Sequence, residues 1–294
     1  MSLGLRSSLA LAAIPAKTAL VVDSSPEVNA VLNRVLASDG WTVERAVDNK
    51  TVLSLVKQRP FDLIITGQRT TGQEDVDLLG KIRGVRSHVR LIILANQSTP
   101  ADVIAAVRGG AFSYCSGPFS RSELTAVVRS AMVAPAWDDG IEVVWATSNW
   151  VRVIARCDVV TADRLVQFLR AGSSVPEPEK DDVITAFHEI LLNAMEHGGQ
   201  FSPDHYVEIG YYRGSRMVIC RVKDPGQGFS LEEIRHAAVN NPPFDLLRHM
   251  TAREEMGLRP GGFGVMLAKK LVDELHYNEK GNEVLLVKYL HQPS

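Results

Sequence analysis

Between Thr18 and Met132 the chain passes repeatedly from a strand-like to a helix-like hydrophobic period, and this alternation limits its fold more than any other feature. Short apolar runs bounded by turn residues predict strands at Ala19–Asp23, Trp41–Ala46, Phe61–Thr66, Val89–Ala95 and Ala111–Cys115. Between them the spacing becomes helical. Val28, Val31, Leu32, Val35 and Leu36 recur three and four apart and line one helix face. Comparable stripes run through Val52–Val56, Leu78–Ile82, Val103–Val107 and Leu124–Val128. Ser120 and Glu123 are spaced as a capping box, in which each side chain satisfies a backbone donor at the start of the last of these helices. Strands that alternate with helices pair in parallel, because a parallel neighbour is reached only through a crossover.

The predicted architecture of this half is therefore a flavodoxin-like (βα)5 doubly wound parallel sheet. The segments V-V-D-S-S-P-E-V, F-D-L-I-I-T-G, L-I-I-L-A and Y-C-S-G-P-F follow in order from Val21 to Phe119. In this order the stretch from Lys17 to Met132 resembles the receiver domain of two-component response regulators. That family uses a carboxylate cluster after the first strand, an aspartate ending the third, a Thr or Ser ending the fourth and a lysine before Pro-Phe. Here Asp23 is followed by Ser24, and the three later positions read Gly67, Ala95 and Gly117. Glycine has no nucleophile, so no acyl phosphate can form at position 67. One carboxylate is a weak anchor for Mg²⁺, and Asp23 reads better as a turn cap. The expectation is a pseudo-receiver that binds partners and takes no phosphate.

A length of 294 residues corresponds to roughly two domains. With 45% hydrophobic and 22% charged residues, each half can bury a core. The net charge of −2 supplies no basic field, which argues against direct nucleic-acid binding. Cys115, Cys157 and Cys220 are far apart and form no C-x-x-C pair, which fits a reducing cytoplasm better than a disulfide framework or zinc site. The apolar run Ser8–Ile14 is too short for a membrane helix, and no membrane association is expected. Pro, Gly and two acids between Ala134 and Gly140 mark a boundary. The expected division is an extension at 1–16, the pseudo-receiver at 17–133, a linker at 134–140 and a nucleotide-binding domain at 141–294. Trp137, Trp145 and Trp150 read as packing at that junction.

In the second half, Val151–Cys157 reads as a strand and Thr161–Arg170 as a helix. Three pieces then carry chemistry. The first is the helix beginning D-D-V-I-T-A-F-H-E at Asp181 and stopped by Gly198-Gly199, on which Glu189, Asn193 and His197 fall four apart and stack along one flank. The second is D-P-G-Q-G at Asp224–Gly228, after a strand-like run Met217–Val222. Its glycines admit a flat base while Asp224 accepts an amino hydrogen. The third is R-P-G-G-F-G at Arg259–Gly264, whose glycines open an apolar helix with an N-terminus suited to phosphate. The stretch between the second and third pieces, with Asn241-Pro-Pro243, reads as a lid. Gly281–Lys288 reads as a turn and closing strand.

Singly, each piece also suits a turn, a cap or a solvated helix face. In this order they resemble the conserved boxes of the GHKL (Bergerat) ATPases over Trp150 to Leu290, which implies an α/β two-layer sandwich binding ATP and Mg²⁺. N-A-M-E-H-G and G-L-R-P-G-G-F-G most resemble the anti-sigma-factor serine/threonine kinases. That resemblance implies Glu189 as general base, Asn193 as the Mg²⁺ ligand and Asp224 as the adenine reader. Gly226, Gly228, Gly262 and Gly264 would approach the nucleotide, and Arg259 would clamp phosphate. It implies a protein kinase whose partner is a sigma factor or an anti-sigma antagonist, and homodimers are compatible with it. Two alternatives stand beside this reading. One is a non-catalytic, nucleotide-responsive binding module; the other is a histidine kinase, suggested by His188-Glu189, although His188 lies inside the nucleotide helix.

Overall fold

Successive strand residues face opposite ways, so a strand apolar on both sides must be covered on both sides. The first half obeys this. The computed structural model describes residues 17–22, 24–67, 70–134, 140–228 and 263–291. Its first elements are β1 (Thr18–Val22), α1 (Pro26–Ser38), β2 (Thr42–Ala46), α2 (Asn49–Gln58), β3 (Leu63–Ile65), α3 (Gly72–Arg83), β4 (Arg90–Ala95), α4 (Pro100–Arg108), β5 (Ser113–Ser116) and α5 (Arg121–Val133). The strands are parallel in the order β2-β1-β3-β4-β5. Ala19 and Val21 pack with Leu32 of α1 and Val128 of α5, whereas Leu20 and Val22 pack with Val52 of α2, Leu79 of α3 and Val103 of α4. Ser120 and Glu123 form the expected capping box.

The second half is antiparallel. It comprises β6 (Ile141–Ala146), β7 (Trp150–Arg156), α6 (Val159–Gly172), α7 (Glu179–Asn193), β8 (Tyr206–Arg213), β9 (Met217–Lys223), α8 (Gly264–Leu271), β10 (Glu274–Tyr277) and β11 (Glu283–Tyr289). Sheet order is β10-β11-β9-β8-β7-β6. Val153, Ile209, Cys220 and Leu286 turn inward against Phe168 of α6, Ile190 of α7 and Ala268 of α8, giving the two-layer α/β sandwich. β6, β8 and β10 were absent from the strands expected. The two junction tryptophans that can be placed also depart from expectation. Trp145 and Trp150 lie on the outward sheet face, are 46% and 52% exposed, and pack edge-to-face on each other at 5.2 Å. Trp137 lies outside the described residues.

The two sheets are joined through α6. Arg164 on this helix is buried, donates from Nε to the Phe112 carbonyl (2.7 Å) and from Nη2 to the Ala111 carbonyl (3.3 Å), and stacks on the Phe112 ring. Ser98 Oγ donates to the Ala171 carbonyl at 2.7 Å. A buried guanidinium needs such acceptors, because its desolvation is otherwise uncompensated.

Candidate functional site

The N-terminal turn of α7 carries Glu179, Asp181 and Asp182, which favour the positive end of the helix dipole. At its other end the helix loosens into a π-helical turn, Ala194–Gly198, closed by Gly199 N donating to the Ala194 carbonyl at 2.9 Å. Such single π turns often mark functional sites. His197 lies within this wider turn, beyond Glu189 and Asn193 on the regular helix.

Glu189 and Asn193 are half-buried and face the start of α8. A β-carbon placed on Gly264 would lie 2.6 Å from Glu189 Oε2 and 3.2 Å from Asn193 Nδ2. A side chain there would have to displace the ends of both Glu189 and Asn193. Two of the three pieces therefore meet here.

The second piece joins them at the π turn. A β-carbon on Gly198 would lie 2.1 Å from Asp224 Oδ1, and one on Gly226 would lie 2.8 Å from the Gly198 Cα. The Asp224 carboxylate thus rests directly on bare backbone. Gly226 N donates to Asp224 Oδ1 at 2.8 Å. Burial raises the Asp224 pKa above the ordinary 3.8, opposed by the Gly226 N–H and the positive charge of Lys280. Cys157 lies beneath Gly199, whose β-carbon would come within 2.3 Å of its sulfur. Burial, and secondarily the Asp224 charge, pushes this thiol up to about 12. It stays protonated and serves packing.

The D-P-G-Q-G loop is held from outside by the turn before β11, a contribution the sequence reading missed. Asp224 N donates to the Asn282 carbonyl at 3.0 Å, and Asn282 Nδ2 donates to the Asp224 carbonyl at 3.2 Å. Lys280 Nζ donates to the Gly226 carbonyl at 3.0 Å. Gly228 has φ +81°, and a β-carbon there would collide with the Lys280 carbonyl. Gly281-Asn282 was legible as a turn, but no local spacing reveals contacts with a loop more than fifty residues away. Arg259, Gly262 and the expected lid lie outside the described residues. His188 points to Asp163 on α6 at 3.7 Å, too far for a hydrogen bond.

In the first domain, Gly67 follows β3, Ala95 ends β4 and Gly117 precedes a cis Pro118. Asp23 lies outside the described residues. In the first turn of α3, the fully buried Asp75 accepts hydrogen bonds at 2.8 Å from Asn49 Nδ2, Thr66 Oγ1 and Thr70 Oγ1. Burial raises its pKa, against the pull of these donors. No pattern in the sequence distinguished this acid from its neighbours on a helix start.

Comparison with known proteins finds a family match in each half. Residues 19–129 match the response regulator receiver domain, and residues 156–288 match the histidine kinase-like ATPase domain. The chain is similar to the DNA-binding transcriptional regulator NtrC of Azospirillum brasilense, at 32% identity over 117 residues, which is 40% of this chain and 24% of that protein. It is also 28% identical over 111 residues to the transcriptional regulatory protein TcrA of Mycobacterium tuberculosis, covering 38% of this chain and 44% of that one. This chain thus spans about a quarter to under half of these relatives' length. Among solved structures, a response regulator from Thermotoga maritima matches at 23% identity with a TM-score of 0.36, covering 40% of this chain and 99% of its own. Among the described residues no helix is long and apolar enough to cross a membrane.

Proposed function

We propose that this fusion of a receiver domain with a histidine kinase-like ATPase domain is a signal-transduction regulator that phosphorylates a protein serine or threonine, in the manner of the anti-sigma-factor kinases. The observation that carries the reading is the convergence of Glu189, Asn193, Asp224 and Gly264 around the π-helical end of α7. A nucleotide fits this arrangement. The bare backbone at Gly198, Gly226 and Gly264 lets the carboxylate of Asp224, the acid of Glu189 and the amide of Asn193 gather at one place, where a β-carbon on these glycines would push against them. Mg²⁺ retains waters and phosphate oxygens, so one protein ligand such as Asn193 suffices.

ATP with Mg²⁺ supplies the γ-phosphoryl group. Asp224 accepts a hydrogen from the adenine amino group, and the α8 N-terminus attracts phosphate. Glu189 takes the proton from the substrate hydroxyl as its oxygen bonds to phosphorus, and ADP leaves with the electrons of the broken P–O bond. Arg259 and Gly262 are assigned to phosphate by resemblance alone. A sigma factor or an anti-sigma antagonist is the partner, and the receiver, with Gly67 where an acceptor aspartate would stand, positions it without being phosphorylated.

The test is transfer of radiolabel from ATP to a panel of candidate antagonist proteins. Acid-stable phosphoserine or phosphothreonine is expected with wild type, and none with Glu189→Gln. An acid-labile label on histidine would favour the histidine-kinase reading. ATP binding without any transfer would favour the nucleotide-responsive binding module.

A further inference from the structure

We propose that the cavity between α4 and the second sheet is an effector site for a small uncharged apolar molecule. The cavity holds about 100 Å³ where the two halves of the chain meet. Val103, Ile104 and Val107 of α4 close it from the receiver side, and Val153 of β7 and Phe168 of α6 line it from the ATPase side. Its polar lining is slight. The Tyr211 hydroxyl is already engaged with Ser173 Oγ at 3.1 Å, and Ser148 is the other hydroxyl-bearing residue. A charged or strongly hydrogen-bonding ligand would lose its hydration without recompense there. An engineered apolar cavity of the order of 150 Å³ stays dry and takes up benzene, so for this smaller one a single small ring or a short hydrocarbon chain is the upper limit.

Its position gives the ligand something to act on. Phe187 lines the cavity from α7, two residues before Glu189, and Cys220 lines it from β9, the strand that leads to Asp224. α6 is held on the receiver side by Arg164, and its Asp163 faces His188 on α7. A molecule seated between α4 and the sheet therefore touches the receiver and both elements that carry the nucleotide-site residues. Occupancy shifts the nucleotide affinity through these contacts. The existence of the cavity site does not rest on the kinase reading; only this coupling rests on the nucleotide site.

The test uses the full chain, with methyl-labelled valines and toluene as probe. Saturable binding is expected, with intermolecular Overhauser effects from toluene to the methyls of both Val103 and Val153. Val153→Phe or Val103→Phe, by filling the space, should abolish them. Absence of saturable binding, or contacts confined to other methyls, would overturn the proposal whether or not the variants fold. ATP affinity measured with saturating toluene should change at least threefold, and an unchanged affinity would overturn the coupling. Toluene binding in a chain that binds no ATP would leave the cavity site standing and remove the nucleotide reading alone.

Discussion

Glycines decide the geometry of the candidate site. Gly198→Ala would drive a methyl into the Asp224 carboxylate, and the loop would have to move. We expect a loss of about 1–3 kcal/mol in urea unfolding, the usual scale for forced overpacking, and a larger proportional loss of ATP affinity. Asp224 itself gives a pH signature. Its pKa lies above 3.8 when folded, so as pH falls it becomes protonated, and ceases to accept the adenine amino hydrogen, earlier than an ordinary aspartate would. Calorimetric ATP affinity should fall on mild acidification, and Asp224→Asn should remove that dependence while weakening binding. Asp75 shows the same shift acting on stability. Its folded pKa is raised and its unfolded pKa is ordinary, so the folded state holds more protons in the window that opens at 3.8. Stability due to this group is therefore lost as pH rises through that window. Asp75→Asn should narrow the difference in stability between mildly acidic and neutral solution, as read by urea midpoints; an unchanged difference would count against the burial of this charge.

At the scale of elements, what could be read from the sequence depended on burial. Four of the five parallel strands stood out because both faces are covered, which makes Ala19–Val22 and Leu91–Ala95 continuous apolar runs; the edge strand β2, with Thr42 and Arg45 exposed, has no such run. β6 and β8 escaped notice because their outward faces are mixed. Trp145 and Tyr212 are exposed, and Glu208 lies between Arg152 and Arg221 in an ion-paired row that continues to Glu283, so the outward face mixes aromatic and charged residues. The chemistry-bearing residues of α7 were legible from their four-residue spacing, but the π turn after Asn193 was not, since nothing in A-M-E-H-G announces a wider turn. The outside support of the D-P-G-Q-G loop was equally hidden, because it depends on the folded sheet bringing β9 and β11 together. Asn282→Ala should weaken ATP binding several-fold with little change in secondary structure by circular dichroism. Removing its amide takes a donor from the Asp224 carbonyl, and a lost hydrogen bond of this kind costs about 0.5–1.5 kcal/mol.

For the whole molecule, the receiver and the ATPase domain are parts of one packed body rather than beads on a linker. Arg164 ties α6 to the carbonyls of Phe112 and Ala111, and α6 in turn packs on α7. Arg164→Ala leaves two receiver carbonyls without their donor, and calorimetric melting should change from one transition to two. The central claim, that the three pieces form an ATP site, is tested most directly by Mg²⁺-dependent ATP calorimetry on wild type, Asn193→Ala and Glu189→Ala. The account predicts binding by wild type, loss of binding in Asn193→Ala and retained binding in Glu189→Ala. Absence of ATP binding by folded wild type would contradict it and leave the chain a protein-interaction scaffold.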